Sequence, residues 1–289
     1  NWHGYKTDDY DDEWQFDAIR IEIIKDHNTR LQMFLQGNLD IVSLESADME
    51  TYRFSNYLLS TDQTFTNRWI FNSDPESLVK LEQEAGDGGN KQVLQYDDFR
   101  KALSLSIDRG RFVEEGTAAY SPAYFLLNYL YYYNIENDPE SVYRTSDAGM
   151  KAILDLYEIP YDDNSNLLEL FNSISGYDET EAKALFTSVY ETAIEEGTYT
   201  DGQDILLNVM ATGADALSAD LTKQQDLLQD FINAATAGTG FESKIKLNFQ
   251  FGSSTRYADV AAGRIESIMG AWGGAAFYPF STIRVYTEP

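Results

Sequence analysis

The last third of the chain alternates between strand-like and helix-like segments, and this order limits the fold more than any other feature. The run "DILLNVMAT" (204–212) is almost wholly apolar, as buried strands are. In "KIKLNFQF" (244–251) apolar and polar residues alternate, as in a strand with one buried face. A third strand is predicted at "IESIMGAW" (265–272). Amphipathic helical patterns occupy 178–197, before the first strand, and 216–236, between the first and second, and "SSTRYADVAAG" (253–263) is predicted as a short helix before the third strand. This β-α-β-α-β order predicts an α/β fold, in which helices cover a sheet.

The N-terminal part of the sequence also predicts strands on either side of a helix. In "FDAIRIEII" (16–24) isoleucines alternate with polar residues, which is the pattern of a strand. Helical spacing follows, with Gly37 as the expected C-terminal cap, and "LDIVSLE" (39–45) returns as a strand. A further strand is predicted at "NRWIFN" (67–72). We therefore expect a β-α-β unit near the start of the chain.

A pair of helices is predicted in the middle of the chain. Phe99, Ala102 and Leu103 recur at helical spacing, so one face of the first helix is apolar. Asp108 is placed to cap a second helix that contains Phe112. These residues indicate a helix pair packed on a core.

The composition excludes several classes of function. The formal net charge is -27, and such a surface repels nucleic acid and anionic membranes, so we expect no nucleic-acid partner. The chain contains no cysteine, which excludes disulfides and thiolate chemistry. No apolar run approaches the roughly 18 residues of a membrane span. Because the chain starts without Met and carries no signal peptide, we expect it to be a piece of a longer protein.

No pattern of residues predicts catalysis. The two histidines, His3 and His27, have no partners at the spacing of metal ligands, and the sequence contains no nucleophile elbow or phosphate-binding loop. We therefore predict a protein that is not an enzyme and that needs no cofactor and no metal. A hydrolase with an unrecognised carboxylate pair stays open as an alternative, because 48 acidic residues offer many such pairs.

The stretch "AYFLLNYLYYYNIENDPESVY" (123–143) is dense in tyrosine. Such rings either stack on a ligand or fill a core or an interface. Exposed aromatic side chains at 129–133 would favour contacts with a protein partner.

Several segments together resemble the solute-binding proteins of bacterial peptide ABC transporters, the oligopeptide- and dipeptide-binding group. They follow one another in the family's order, and residues 124–176 between them match poorly. The matching segments are "NWHGY" (1–5), "IRIEIIKDHNTRLQMFLQGNLDIV" (19–42), "FRKALSLSIDRGRFVEEGTAAYSPA" (99–123), "EAKALFTSVYETAIEEGTYTDG" (181–202) and "SIMGAWGGAAFYP" (267–279).

The resemblance implies an α/β (mixed α+β) chain that forms one lobe of a two-lobed, periplasmic-binding-protein-like fold of type II. Residues 1–289 would form a single lobe, roughly the second, with a Tyr-rich insertion at about 124–176. Proteins of this family close two lobes on a solute by a hinge motion. The helix pair at 97–116 would be scaffold of the second lobe that helps build the wall facing the ligand. The fragment alone would bind solute weakly or not at all.

The resemblance also implies the site. Trp272, Gly273, Gly274 and Ala275 would form a wall of the cleft, with Trp2 as a further ligand-binding residue. Trp272 is either a cleft wall or a core ring, and the glycine pair either lets backbone approach a ligand or ends a strand. Peptide binders of the family commonly place an Asp three residues after this Trp, where it pairs with the peptide's amino terminus. Here that position is Ala275, and Trp2-His3 stands where Tyr-Trp is usual.

The implied function is capture of oligopeptides outside the cytoplasm and their delivery to an ABC transporter permease. We expect the full-length protein to be a lipid-anchored monomer at the cell surface or in the periplasm. Two alternatives keep the fold: a non-peptide solute such as a glycan or a metal chelate, or a surface receptor or chaperone-like protein that binds other proteins.

Overall fold

A computed structural model describes residues 17–86, 89–117 and 120–274, together with Arg284. The chain divides into two compact units, residues 1–44 and residues 45–289. The described part of the first unit contains one helix, α1 (His27–Leu35). The helix begins at Asp26, whose carboxylate accepts hydrogen bonds from the backbone N–H and the hydroxyl of Thr29, at 2.8 Å and 2.6 Å.

The two strands predicted around α1 are wrong. Residues 17–26 and 39–45 adopt no strand structure, and no described residue of the first unit pairs with them in a sheet. Ile19, Ile21 and Ile23 are 73%, 84% and 91% exposed. An alternating segment becomes a strand only where a neighbouring strand supplies its hydrogen bonds and a core covers its apolar face. Neither is present within the described residues of this unit.

The second unit contains nine α-helices and four strands within its described residues. Short 3₁₀ turns at Ser46–Asp48, Lys91–Gln95 and Tyr143–Thr145 connect some of them. The elements in chain order are α2 (Met49–Tyr52), β1 (Phe65–Phe71), α3 (Pro75–Ala85), α4 (Asp97–Ser106), α5 (Arg109–Gly116), α6 (Asp147–Leu156), α7 (Leu167–Asn172), α8 (Glu179–Glu196), β2 (Ile205–Met210), α9 (Ala219–Thr236), β3 (Ile245–Gln250), α10 (Arg256–Ala261) and β4 (Ser267–Gly273). None of the helices in the described ranges has the length and apolar character needed to cross a bilayer.

The four strands form one mixed sheet in the order β1-β4-β2-β3. β2 runs parallel to both β3 and β4, while β1 pairs with β4 antiparallel. The strands predicted at 67–72 and in the last third are confirmed, and so is the β-α-β-α-β order. The alternating residues of β3 bury Ile245, Leu247 and Phe249. The second unit, which contains the sheet, therefore has the predicted α/β fold class.

Helices α4, α8 and α9 pack with the sheet around a single main core. Its centre is a group of aromatic rings in edge-to-face contact: Phe99 lies 5.6 Å from Phe186 and 5.8 Å from Phe241, measured between ring centroids. Such contacts add to the area that each ring buries. The predicted helix pair is confirmed as α4 and α5, and the carboxylate of Asp108 accepts from Arg111 N at 3.0 Å at the start of α5.

A buried polar network joins the 3₁₀ turn at Lys91–Gln95 to the sheet. The ammonium of Lys91 lies 2.6 Å from the carboxylate of Glu266, and both side chains are buried. The other carboxylate oxygen of Glu266 accepts from Asn208 N at 2.8 Å, and Asn208 in turn accepts from the amide of Asn248 at 2.9 Å. The network thus crosses from β4 through β2 to β3, and every charge in it has a partner.

The outer edge of β3 is covered by two side chains of α9. Gln229 accepts from Leu247 N at 2.8 Å and donates to Ile245 O at 2.8 Å, while Gln225 accepts from Phe249 N at 2.6 Å. An open strand edge presents unpaired backbone groups to other chains. The two glutamines, one helical turn apart, occupy those groups.

The Tyr-rich segment, residues 124–176, has a small apolar core of its own between α6 and α7. Met150, Ile153 and Leu154 of α6 pack with Phe171 and Ile174. Tyr124 and Tyr157 join this core, and the hydroxyl of Tyr157 donates to Tyr124 O at 3.1 Å.

Candidate functional site

The carboxyl ends of the parallel strands lie at one edge of the sheet. β2, β3 and β4 run in the same direction, so Met210, Gln250 and Gly273 end at this edge. In open α/β sheets, ligands bind in the crevice outside the carboxyl ends of the strands. The sequence-predicted residues Trp272, Gly273 and Gly274 lie at the end of β4, and the structure therefore brings these three together at the edge where ligand binding is expected.

β4 extends beyond its parallel neighbour. Only Ser267 and Ile268 pair with β2, and farther along Tyr257 of α10 takes the place of that strand. The Tyr257 hydroxyl accepts from Ala271 N at 2.8 Å. A Cβ on Gly270 would lie 2.9 Å from this ring, so the close approach of α10 requires glycine there. The end of β4 is consequently a two-stranded ribbon with β1, bordered by α10.

Trp272 is half-buried and lies opposite Thr66 of β1. The guanidinium of Arg68, two residues farther along β1, lies 4.6 Å from the centroid of the Trp272 ring. Diagonal neighbours across an antiparallel pair are within reach of long side chains, and a cation over an indole is attracted by its π face. A basic side chain therefore contacts Trp272 within the described part of the chain.

The glycine pair has a structural role within the sheet. A Cβ on Gly273 would lie 3.0 Å from the Cβ of Phe65 and 3.1 Å from Thr64 O, so any side chain here would force β1 and β4 apart by a few tenths of an ångström. Gly274 N donates to the hydroxyl of Tyr131 at 2.8 Å, and that hydroxyl donates to Thr64 O. Both glycines are exposed on their remaining sides.

The Tyr-rich segment borders this site. Thr66 donates its hydroxyl hydrogen to Leu126 O at 2.9 Å, and the amide of Asn128 donates to Gln63 O at 2.7 Å. Tyr131 is buried between the segment and the end of β4, whereas Tyr129 and Tyr133 keep about half of their surface exposed. Tyrosines of this segment therefore serve both packing and surface, and Tyr131 is a site residue that sequence reasoning did not single out.

The loop after β3 is held by Asp259 of α10. Its carboxylate accepts from Arg264 at 2.7 Å, from Thr255 at 2.8 Å and from Ser253 at 3.1 Å. These hydrogen bonds, that of Arg264 foremost, lower the pKa of Asp259 below its ordinary value of 3.8. The loop at this edge is thus fixed by a carboxylate that stays ionised near neutral pH.

Two predicted site residues, Trp2 and Ala275, lie outside the described residues, as does His3. The roles predicted for them stay predictions. Arg68 and Tyr257 were missed because their positions carry no signal until the register of β1 against β4 and the packing of α10 are known.

Comparisons with known proteins agree with this architecture. The family model described as "Bacterial extracellular solute-binding proteins, family 5 Middle" matches residues 2–288, and the chain belongs to this family. No curated relative matched the sequence.

Solved structures of similar fold include a peptide-bound OppA from Listeria monocytogenes. It is 14% identical with a TM-score of 0.59, and the match covers 96% of this chain and 45% of the Listeria chain. An OppA of Haemophilus influenzae in complex with the peptide RPPGFSPFR is 16% identical, with a TM-score of 0.49, over 90% of this chain and 40% of that one. The chain thus spans less than half the length of these proteins, and the likeness to the Listeria structure shows the fold alone.

Proposed function

We propose that the protein containing this chain is the extracytoplasmic solute-binding component of an ABC transporter and that it captures oligopeptides between two lobes. The observation that carries the proposal is the family match over residues 2–288, since its members are extracellular solute-binding proteins. The peptide bound in the Listeria OppA structure supports peptide as the ligand class. Trp272 and the exposed glycines would form one wall of the cleft, and the rest of the protein would supply the other.

Delivery to the permease requires the protein to stay near the membrane. We propose that the full-length protein is a monomer that a lipid anchor holds on the extracytoplasmic side of the membrane. There it would pass its ligand to the permease. The proposed role contains no catalytic step, in keeping with a family of binding proteins.

A non-peptide solute is a second candidate for the ligand. Within the described residues, the basic side chain of Arg68 lies over Trp272. Position 275 holds Ala, where peptide binders of the resembled group commonly place an Asp that pairs with the peptide's amino terminus. A buried ammonium without a counter-charge is costly. A ligand without a free amine at this wall, for example a glycan, would avoid that cost.

Native mass spectrometry of the full-length protein, purified from cells without refolding and then denatured, tests the proposal. Release of a mixture of peptides supports peptide capture, whereas a single non-peptide mass assigns the second candidate. An empty protein that shows no thermal shift with pooled peptides contradicts solute capture and favours protein contacts through the exposed rings of Tyr129 and Tyr133.

The variant Trp272→Leu tests whether Trp272 belongs to the ligand-binding wall. The variant keeps an apolar side chain but removes the ring, and we expect the amount of retained ligand to fall at least severalfold. Tyr177→Leu, which changes a partly exposed aromatic residue just before α8, is the matched control and should retain ligand as the wild type does. Equal retention in both variants would remove Trp272 from the site.

A further inference from the structure

Arg144 is a buried cation for which the described residues supply no polar partner. It lies in the 3₁₀ turn Tyr143–Thr145 of the Tyr-rich segment and is 5% exposed. Although the chain has 48 acidic residues, the guanidinium of Arg144 forms no ion pair or hydrogen bond with any residue that the structure describes, and its Nε is fully buried without an acceptor. Burial of a charge is unfavourable unless the charge is paired and hydrogen-bonded.

Aromatic rings account for the position of the guanidinium but leave its hydrogen bonds unmade. Its central carbon lies 4.8 Å from the ring centroid of Tyr129 and 5.4 Å from that of Phe171. Rings attract a cation through their π faces, whereas the N–H donors of a guanidinium point outward in its own plane and need acceptors there. Tyr157 is also close enough for the positive charge of Arg144 to oppose the rise in the Tyr157 pKa that burial causes.

Two other arginines show how the same protein satisfies this group. Arg111 lies 5.5 Å from the ring of Phe231 and also donates to the carboxylate of Glu115 at 2.7 Å. Arg109, half-buried, donates to Ser104 Oγ at 2.8 Å, to Ser104 O at 3.1 Å and to Gly176 O. Arg144 has aromatic contacts as Arg111 does, but no acid partner among the described residues. It is more buried than Arg109, but no carbonyl of a described residue accepts from it.

We propose that Arg144 binds one carboxylate group, with the half-exposed ring of Tyr129 on the side that faces solvent. A carboxylate matches the two parallel donors of a guanidinium and neutralises a single positive charge. A multiply charged anion would bring further negative charge into a chain of net charge -27, and that charge would be repelled. The carboxylate belongs either to a bound solute or to a part of the full-length protein beyond this chain. The proposal does not depend on the ligand proposed above.

The test follows the side-chain Nε–Hε signals of the arginines by ¹⁵N NMR while acetate replaces chloride at constant ionic strength. We expect one signal, absent from Arg144→Gln, to shift saturably with acetate and to stay unchanged with neutral acetamide. Acetate should bind Arg144→Gln at least tenfold more weakly than the wild type, because hydrogen bonds to charged groups are the strong ones. Arg111→Gln, whose arginine already has an acid partner, should bind acetate as the wild type does.

A second variant keeps the test decisive if Arg144→Gln fails to fold. Tyr129→Ala changes a side chain that is 53% exposed, and it admits water to the guanidinium, so acetate should bind several-fold more weakly. The proposal is overturned if no arginine signal of the wild type responds saturably, or if the affinity for acetate is the same in the wild type, Tyr129→Ala and Arg111→Gln.

The full-length protein distinguishes the two sources of the carboxylate. If the Arg144 signal already lies at its acetate-saturated position in protein freed of solute by denaturation and refolding, the carboxylate belongs to the protein. If it moves there only when acetate is added, the carboxylate comes from a solute. An Arg144 signal that stays at its acetate-free position under both conditions overturns the proposal, whatever native mass spectrometry finds at the end of β4.

Discussion

Residues 19–23 and the strand Ile245–Gln250 carry the same alternation of apolar and polar side chains, yet the isoleucines of the first are exposed and the apolar residues of the second are buried. The second segment pairs in register with β2 along its whole length and is covered by α9. The first has no such neighbour among the described residues of its unit. Period-two patterning therefore states which face of a strand is apolar, but a partner and a cover decide whether the strand exists.

The sheet and the segment at 19–23 also differ in how their polar groups are paired. In the sheet, β4 is joined to β2 by the carboxylate of Glu266, which accepts from Asn208 N and from its amide, and the free edge of β3 is occupied by glutamines. The exposed segment around Ile21 has neither a buried carboxylate nor covering glutamines among the residues that the structure describes. The four predictions below test this contrast between the sheet and the N-terminal unit. Each removes side-chain contacts and measures the effect on stability, association or pKa.

The largest effect is expected for Glu266→Ala. The change leaves the buried ammonium of Lys91 without its counter-charge and removes the acceptor of Asn208 N, so β4 would lose part of what holds it to β2. Breaking a buried ion pair by removing one partner costs about 3–5 kcal/mol. Urea unfolding followed by circular dichroism measures the loss.

The control for Glu266→Ala is the double variant Lys91→Met with Glu266→Leu. It removes both charges and fills their space, so its free energy of unfolding should fall by less than that of the single variant. A single variant as stable as the wild type would show that β4 stays in the sheet without this network.

The next effect compares the two alternating segments directly. Ile245→Ala deletes a side chain that is 1% exposed and leaves a cavity, at a cost of about 3 kcal/mol. Ile21→Ala makes the same chemical change at a position that is 84% exposed, and the free energy of unfolding should change by less than about 0.5 kcal/mol. Equal losses, measured by urea unfolding, would contradict the exposed state of residues 19–23.

The local parts of this fold were predictable from the sequence. Helices α4 and α5 and the cap at Asp108 depend on residues within one or two turns of each other, and the strands of the last third were found from their own composition. The end of β4 was located as a candidate wall through resemblance, because Trp272 and its two glycines are adjacent in the chain.

The tertiary parts were not predictable, since they join distant residues. The hydroxyl of Tyr131 meets Gly274 N across 143 positions, and Arg68 meets Trp272 only after the antiparallel register is fixed. The failure of the strand at 19–23 has the same origin. Its pattern is that of a strand. A pairing strand and a covering core are absent from its described surroundings, and the sequence of the segment itself does not show this.

A smaller effect is expected when the edge of β3 is opened. The double variant Gln225→Ala with Gln229→Ala removes three hydrogen bonds to the strand, each worth about 1 kcal/mol, and water replaces part of them, so we expect a loss of about 2 kcal/mol. The exposed edge should also pair with other copies. Analytical ultracentrifugation should therefore show association that rises with concentration.

Lys223→Ala is the matched control for the open edge, because Lys223 is an exposed residue of the same helix. It should leave both stability and sedimentation unchanged. If the glutamine variant also sediments as the wild type does, the edge of β3 is protected by something other than these two glutamines.

The smallest effect concerns two helix caps, one in each unit. Asp26 accepts from Thr29, and Asp74 accepts in the same way from Ser77, so hydrogen bonds lower the pKa of both carboxyls below the ordinary 3.8. A lowered pKa means that each cap stabilises its helix above about pH 4, and that this contribution is lost as the pH falls through the lowered value. NMR titration of the carboxyl carbons should give both midpoints below 3.8.

Comparing the two caps tests local structure independently of tertiary structure, because their hydrogen bonds are alike while the surroundings of α1 and α3 differ. Thr29→Val and Ser77→Ala each remove a hydroxyl donor and should raise the pKa of the neighbouring Asp toward 3.8. Similar shifts in both would show that α1 is as well formed locally as α3, although residues 19–23 before it are exposed. If the Asp26 midpoint already lies at 3.8 in the wild type, α1 lacks its cap, and the contrast between the two units begins at the level of the single helix.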